Sequence, residues 1–206
     1  MNKYISIFFC VQIIALNLFA MQPKVTPVDY VRPQIDTHKS RWFFFSSASR
    51  PFGMVSLSPD TWTEGSWNSG YLYNSKEIRC FSHVHCWQLA GVPVMPTTGE
   101  VKGHKGMDAY KSTYSHETEI VKPGYHKVEL DTYQIRVELT STSRVGMHRY
   151  TYPAGEKANV LFDVGALLAH GKTEKAAIHR ISSKEIGGYS VLAPTSRRKK
   201  PVTVYF

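Results

Sequence analysis

The chain has 206 residues, a formal net charge of +9 at pH 7 and an aromatic content of 13%. A chain of this length can form one domain with a sizeable core. Its basic residues are scattered among Asp and Glu rather than laid along one helix, and the one compact basic run is Arg197–Lys200. Such a short run is typical of a solvated loop, so we predict no nucleic-acid partner.

Residues 1–20 have the pattern of a secretory signal peptide. Lys3 gives a positive start, Ile5–Phe19 is almost wholly apolar, and Ala20 is a small residue at the expected cleavage position. The apolar run is too short for a membrane anchor. We therefore predict that residues 21–206 form an exported domain, periplasmic or secreted, which no membrane segment holds after cleavage. The alternative interpretation, a buried N-terminal strand, stays open.

Short apolar segments separated by turn residues follow. The run Trp42–Phe45 predicts a buried strand, and the alternation over Gly53–Ser58 predicts a half-buried strand that ends at the next proline. Residues 60–73 are rich in Thr, Gly, Ser and Asn, and they are predicted to form a long loop that presents Trp62 and Trp67.

The segment Cys80–Trp87 is predicted to be one β-strand, so that alternate side chains lie on opposite faces. One face would carry two imidazoles and two aromatic rings: Phe81, His83, His85 and Trp87. The other would carry small side chains that pack inward: Cys80, Ser82, Val84 and Cys86. Rings that stack on C–H faces, beside groups that hydrogen-bond hydroxyls, favour a sugar ligand. Interface packing and a metal site are the alternatives, although two His ligands do not complete a zinc tetrahedron.

Beyond this segment, alternating apolar and polar residues predict a series of antiparallel strands. They are Val92–Met95, His126–Leu130, Tyr133–Thr140, Val145–Tyr152, Val160–Asp163, Ile178–Ser182, Tyr189–Leu192 and Val202–Phe206. No helix of ordinary length is predicted, so the fold class is all-β, an antiparallel β-sandwich. Cys80 and Cys86 are predicted to be free thiols, because about 20 Å of extended strand would separate them.

Five stretches of the sequence, in their order and spacing, resemble the N-terminal region of glycoside hydrolase family 92, the calcium-dependent exo-α-mannosidases. They are Val28–Pro33, Ser49–Thr61, Gly70–Tyr71, Arg79–His85 and Pro93–Glu100. Members of that family are several times longer than this chain. We therefore expect the chain to be the N-terminal domain alone, with the helical catalytic domain absent and the sandwich incomplete at its C-terminal end.

The resemblance also implies a function. The full-length enzyme would hydrolyse α-mannosidic bonds with inversion, in α-mannoside glycans of the N-glycan or mannan type. It would use calcium, whose ligands are expected in the helical domain outside this chain, and that domain would be the partner of this one. No catalytic or metal-binding residue is assigned to the chain. The resemblance and the aromatic pattern together predict a set of substrate-binding residues: Ser82, His83, His85, Trp87, Trp62 and Trp67.

Nothing in the sequence resembles a pair of catalytic carboxyl groups flanking a glycosidic bond. The acidic residues nearest the aromatic cluster are interpreted as turn formers, caps or solvated charges: Asp60, Glu64, Glu77, Glu100 and Asp108. The chain alone is therefore predicted to be inactive. Two other hypotheses stay open, a free-standing carbohydrate-binding module and a non-functional remnant that folds poorly.

Overall fold

The computed structural model describes residues 25–38, 47–63, 70–86, 89–166, 171–196 and 198–206. The predicted signal peptide, the predicted strand Trp42–Phe45 and the predicted ligand-binding residues Trp67 and Trp87 lie outside these residues. Residues 1–31 and 32–206 form separate units. The described part of the first unit contains one 3-10 turn, Pro27–Tyr30.

The second unit is built from short strands. Those formed by the described residues are β1 (Ser58–Asp60), β2 (Glu77–Ile78), β3 (Cys80–Ser82), β4 (Val84–Cys86), β5 (Leu89–Gly91), β6 (Val94–Thr98), β7 (Ser112–Thr113), β8 (Ile120–Lys122), β9 (Tyr125–Leu130), β10 (Ile135–Ser141), β11 (Gly146–Thr151), β12 (Ala158–Phe162), β13 (Thr173–Arg180), β14 (Ile186–Leu192) and β15 (Val202–Tyr205). The helical segments of the described part are a 3-10 turn at Gly103–Lys105 and the single turn α1 (Met107–Tyr110). No helix in the described ranges is long and apolar enough to cross a membrane.

Two four-stranded antiparallel sheets form a sandwich, with strand orders β1-β3-β6-β12 and β11-β10-β9-β8. Their side chains meet in one core, to which the first sheet contributes Phe81 and Met95 and the second Val128, Val137 and Leu139. A three-stranded sheet, β13-β14-β15, and the two-stranded ribbons β2-β7 and β4-β5 complete the unit. The predicted antiparallel β-sandwich is confirmed.

The second sheet shows why these segments become strands. Along β10 the apolar side chains Ile135, Val137 and Leu139 are buried, while the residues between them face outward. Val137 lies opposite Val128 of β9, so the apolar sets of neighbouring strands share one face. Apolar burial of this kind stabilises a fold by about 25 cal/mol per Å². Gly124, with φ +77°, makes the tight turn between β8 and β9.

Two strands run through prolines at which the sequence predicts an end, so those predicted ends are wrong. The predicted strand Gly53–Ser58 is wrong apart from its last residue, because residues 53–57 form no strand. β1 instead begins at Ser58 and includes Pro59, which lies opposite Phe81. It tolerates proline because it is an edge strand, where one backbone N–H need not join the ladder. β6 includes Pro96, which lies opposite Val160, and its buried side chains, Met95 among them, keep this strand in the core.

The predicted single strand over Cys80–Trp87 is also wrong. The segment bends at His83, so β3 pairs with β1 and β6 whereas β4 pairs with β5. The backbone of His83 is held at the bend, because its N–H donates to the carbonyl of Gly91 at 3.2 Å and its carbonyl accepts from Ser56 N–H at 2.9 Å. The bend removes the alternation that would have placed His83 and His85 on one face.

Candidate substrate-binding site

A buried carboxylate–imidazole pair lies at the end of β1. Asp60 is 1% and His85 8% exposed, and Oδ1 of Asp60 lies 2.8 Å from Nε2 of His85. Nδ1 of His85 lies 2.5 Å from the carbonyl oxygen of Ser56. Both ring nitrogens therefore face acceptors, and both carry hydrogen. Burial opposes this charge, but the Asp60 carboxylate and the Ser56 carbonyl outweigh it and raise the pKa of His85.

Ser82 and Cys80 join this pair in what we call the Asp60 cluster: Asp60, His85, Ser82 and Cys80. Oγ of Ser82 lies 2.9 Å from the same Nε2 of His85 that contacts Asp60. A catalytic triad needs the serine and the carboxylate on opposite ring nitrogens, so this arrangement activates no nucleophile. The Cys80 thiol donates to Oδ2 of Asp60 at 3.4 Å. Burial and the nearby carboxylate raise the pKa of this thiol, and its prediction as a free thiol is confirmed.

His83 begins a second set of hydrogen bonds, which we call the His83 chain: His83, His148 and Tyr150. Nδ1 of His83 lies 3.2 Å from the carbonyl oxygen of Val92, so this nitrogen carries the ring hydrogen. Nε2 of His83 then accepts from Nε2–H of His148 at 2.8 Å. Nδ1 of His148 accepts in turn from the hydroxyl of Tyr150 at 2.7 Å. Each donor meets one acceptor, so the whole chain is neutral.

The surroundings of the His83 chain disfavour charge. Burial lowers the pKa of His148 to about 3, and the neighbouring His83 adds to this effect. Burial also lowers the pKa of His83, although the Val92 carbonyl opposes the change. Val92 has φ +53°, a strained value for a β-branched residue. The neutral His83 ring thus holds a strained turn of the backbone.

Residues 61–70, which we call the Trp loop, follow β1. Trp62 is half-buried and pairs with Gly70 across the base of the loop, with N–H···O distances of 3.0 and 2.8 Å. Gly70 has φ +125°, and a β-carbon placed on it would lie 3.5 Å from the His85 ring. The base of the loop therefore rests against the Asp60 cluster. Residues 64–69 lie outside the described residues.

A second buried carboxylate belongs to what we call the Glu119 cluster: Glu119, His116, His126, Tyr71 and Gln34. The Glu119 side chain is 2% exposed and accepts from Nε2–H of His126 at 2.8 Å and Nδ1–H of His116 at 2.6 Å. It also accepts from the Tyr71 hydroxyl at 2.9 Å and the Gln34 amide at 3.2 Å. Burial opposes the negative charge, yet these donors, that of His126 above all, lower the pKa of Glu119.

The two clusters bracket the Trp loop. Asp60 directly precedes it, and Tyr71, which donates to Glu119, directly follows it. Removing one partner of a buried ion pair costs about 3–5 kcal/mol, because a charge is left without compensation. Both ends of the loop are therefore fixed by interactions that are costly to break.

The profile of the glycosyl hydrolase family 92 N-terminal domain matches residues 30–206. The chain belongs to this family. A family GH92 α-mannosidase from Bacteroides thetaiotaomicron in complex with mannoimidazole is 32% identical, with a TM-score of 0.74 over 86% of this chain and 24% of that chain. A second structure of that mannosidase is 31% identical, with a TM-score of 0.77 over 90% of this chain and 26% of that chain.

A family GH92 inverting mannosidase from Bacteroides thetaiotaomicron VPI-5482 shares the fold, with 20% identity and a TM-score of 0.67 over 89% of this chain and 29% of that chain. The family 92 domain thus spans about a quarter of the length of the two more similar structures. No curated protein matches the chain.

Neither buried carboxylate of this family 92 domain is set up as a general acid. A general acid must hold a proton near neutral pH, usually because its pKa is raised. The donors around Glu119 lower its pKa instead and keep it ionised. Asp60 is occupied by its ion pair with His85. The two buried carboxylates can instead hold the ends of the Trp loop in position.

Calcium, which the family resemblance implies, takes about six to eight oxygen ligands. The described carboxylates do not gather into such a set, since Asp60 is paired with His85, Glu119 with two imidazoles, and Asp163 with the Tyr110 hydroxyl at 2.8 Å. Within the described ranges, no group of three or more His, Cys, Asp or Glu side chains could hold a metal ion. These residues do not fit a calcium site.

The structure places the predicted substrate-binding residues in three groups. Ser82 and His85 are buried and meet each other, although strand alternation predicted opposite faces. His83 and Trp62 are half-buried. The other two tryptophans lie outside the described residues. The substrate-binding role of the whole set stays a prediction.

The sequence-based interpretation of the acidic residues is wrong for one of them and confirmed for two others. Asp60 is neither a turn former nor a solvated charge, and that interpretation is wrong, because its carboxylate is buried against an imidazole. For Glu77 and Asp108 the interpretation as solvated charges is confirmed, since both lie at the surface and pair with Lys111 at 2.9 and 3.3 Å.

Sequence reasoning missed Glu119, His148 and Tyr150. A signal for two of them was present, because alternation along β11 turns His148 and Tyr150 to one face and Met147 to the other. Glu119 lies just before β8, and no local pattern distinguishes it from an exposed turn residue. Its burial depends on imidazoles that reach it from the neighbouring turn and from β9.

Proposed function

We propose that this domain forms one wall of an α-mannoside-binding pocket in a longer glycoside hydrolase. That enzyme would depend on calcium and would hydrolyse α-mannosidic bonds with inversion, in glycans of the N-glycan or mannan type. The observation that carries the proposal is the Trp loop, held at both ends by buried carboxylates. Membership of the family supports it, as do relatives described as an α-mannosidase bound to mannoimidazole and an inverting mannosidase.

The Trp loop and Trp87 supply the sugar contacts in this proposal. Indole rings stack on the C–H face of a pyranose, and the rings concerned are those of Trp62 and Trp67 together with Trp87. Binding is tighter when such rings are ordered in advance, because less conformational entropy is lost on association. The Asp60 and Glu119 clusters order the ends of the loop.

The segment Ser82–His85 has two roles in the proposal. His83 is half-buried, and it offers a ring edge to the sugar while its nitrogens stay in the His83 chain. Ser82 and His85 act through the loop, since both are buried and His85 lies against Gly70 at the loop base. Within this short segment, His83 is therefore a contact residue, whereas Ser82 and His85 are positioning residues.

Hydrolysis itself is assigned to the helical domain, which also supplies the calcium ligands. Inversion requires a protonated and an ionised carboxyl group about 6.5–9.5 Å apart. The lowered pKa of Glu119 gives no support to a proton donor in this domain. We infer that the chain alone binds mannosides without cleaving them, and that it works outside the cytoplasm after loss of residues 1–20.

The test uses the full 206-residue chain and α-mannobiose, with intrinsic tryptophan fluorescence and calorimetry as readouts. Saturable binding is expected, and Trp62→Ala should weaken it about tenfold or more, as loss of a stacked ring would. The matched control is Tyr205→Ala, which removes a 76% exposed aromatic ring from another sheet. The control should bind as the unchanged chain does.

Three results would overturn the proposal. The first is the absence of saturable binding by the chain, and the second is Trp62→Ala binding as tightly as the unchanged chain. The third is calcium-stimulated release of mannose by the purified chain, which would place the hydrolytic groups inside it.

A further inference from the structure

The outward face of the β8–β11 sheet carries an ordered set of side chains that the Trp loop proposal does not use. Register places Tyr125, Thr140 and Met147 side by side across β9, β10 and β11. In the next row Glu138 lies opposite Arg149. These side chains alternate with the buried ones of the same strands, so they lie on the side of the sheet away from the core.

Glu138 and Arg149 form a planar pair on this face. Nε of Arg149 lies 2.7 Å from Oε2 of Glu138, and Nη2 lies 2.5 Å from Oε1. The Tyr125 hydroxyl donates to Oε1 at 2.7 Å. The Arg149 and Tyr125 donors lower the pKa of Glu138 to about 2, so the pair is charged on both sides at neutral pH.

The pair keeps hydrogen-bonding capacity to spare. A guanidinium has five N–H donors, and this one uses two of them among the described residues, which leaves Nη1 open. Oε2 of Glu138 accepts one hydrogen bond and can accept another. The open N–H groups lie on the edge of the guanidinium away from the carboxylate, because Nε and Nη2 face Glu138. Donors and an acceptor are therefore both available on the pair, on different edges of one plane.

A shallow cleft of about 260 Å³ opens over these groups. Its lining is mainly apolar and includes Tyr125 and the 55% exposed Met147. That volume lies below the range of about 300–1,000 Å³ typical of sites for drug-sized ligands, so the cleft suits a single small ring.

We propose that this cleft binds one pyranose ring of a neutral sugar, with hydroxyls on Arg149 and Glu138 and the C–H face on Tyr125 and Met147. A sugar carries several hydroxyls, so one can accept from the guanidinium while another donates to the carboxylate. An anionic ligand fits less well, because the Glu138 carboxylate lies at the centre of the site. The site goes beyond the proposed function, since its hydrogen-bonding groups, Glu138 and Arg149, lie on the outward face of the sheet, although His148 of the His83 chain also lines the cleft.

The test uses methyl-¹³C methionine in the full chain and follows each methyl resonance by NMR during titration with methyl α-mannopyranoside. The Met147 resonance should shift saturably in the millimolar range, while that of the buried Met95 should not move. Arg149→Gln should weaken this binding about tenfold or more, as loss of charge-assisted hydrogen bonds would. The matched control is Arg136→Gln, which breaks a similar cross-strand pair with Glu129 outside the cleft.

Two further variants test the cleft without removing the charged pair and distinguish it from the Trp loop. Tyr125→Phe removes one hydroxyl and should weaken binding severalfold, which tests the site without removing the charged pair. Trp62→Ala should leave the Met147 shift unchanged, so failure of the Trp loop proposal and failure of this one are distinguishable. A Met147 shift that is absent, that survives Arg149→Gln, or that disappears in Trp62→Ala would overturn the site.

Discussion

The Asp60 cluster and the His83 chain each hold one histidine of the same short segment, yet one imidazole is charged and the other neutral. His85 meets a buried carboxylate and a carbonyl, which raise its pKa against the effect of burial. His83 meets a carbonyl and another imidazole, and burial lowers its pKa. The groups opposite a ring, and not the spacing of the rings, therefore decide its charge. This difference also predicts that the two regions lose stability at opposite ends of the pH scale.

The largest expected effect is the loss of the counter-charge in the Asp60 cluster. Asp60→Asn should lower the free energy of unfolding by about 3–5 kcal/mol, because it leaves the buried His85 imidazolium unpaired. Urea unfolding followed by circular dichroism measures this change. The control is Asp108→Asn, which removes a carboxylate whose side chain is 74% exposed and should cost about 1 kcal/mol or less.

A double variant tests the same buried ion pair. Adding His85→Gln to Asp60→Asn should recover part of the lost stability, since no buried charge then remains. If Asp60→Asn costs no more than Asp108→Asn, the buried ion pair is not what holds the base of the Trp loop.

The second prediction concerns the acid side of the His83 chain. The pKa of His148 is about 3 in the fold and about 6.5 in an unfolded chain, so the unfolded state binds the extra proton between these values. Stability should therefore fall as pH falls from about 6.5 towards 3, by at most about 1.4 kcal/mol per pH unit. His148→Gln should flatten this slope in urea unfolding over the same range.

The control for this slope is His104→Gln, which replaces an exposed histidine. Its pH profile should match that of the unchanged chain. An unchanged acid slope in His148→Gln would show that other groups, and not the His83 chain, cause the acid instability.

The third prediction concerns the alkaline side of the Asp60 cluster. The pKa of His85 is raised above its unfolded value of about 6.5, so its contribution is complete below that pH. It is lost as pH rises through the folded pKa. The double variant Asp60→Asn/His85→Gln should lack this alkaline loss in unfolding experiments above neutral pH. Equal alkaline slopes in the two proteins would contradict the charged state of His85.

The parts of the molecule that were predictable from sequence are those set by local alternation. β9 and β10 follow from apolar residues at alternate positions, and the confirmed sandwich follows from several alternating strands. The bend at His83 could not be predicted, because it depends on backbone hydrogen bonds with Ser56, which donates, and Gly91, which accepts, and both lie elsewhere in the chain. Asp60 has the local appearance of a turn residue, and only the distant His85 makes its burial favourable.

The smallest expected effect tests the outer end of the His83 chain. Tyr150→Phe removes the hydroxyl that donates to Nδ1 of His148, at a cost of about 1 kcal/mol. It should also weaken the fixed tautomer of His148, because Nδ1 then has no donor to accept from. Imidazole ¹⁵N chemical shifts measure the tautomer directly. Tyr205→Phe, at an exposed tyrosine of β15, should change neither quantity. If the His148 shifts stay the same in Tyr150→Phe, the order of donors along the chain is wrong, and the neutral state of His83 must have another cause.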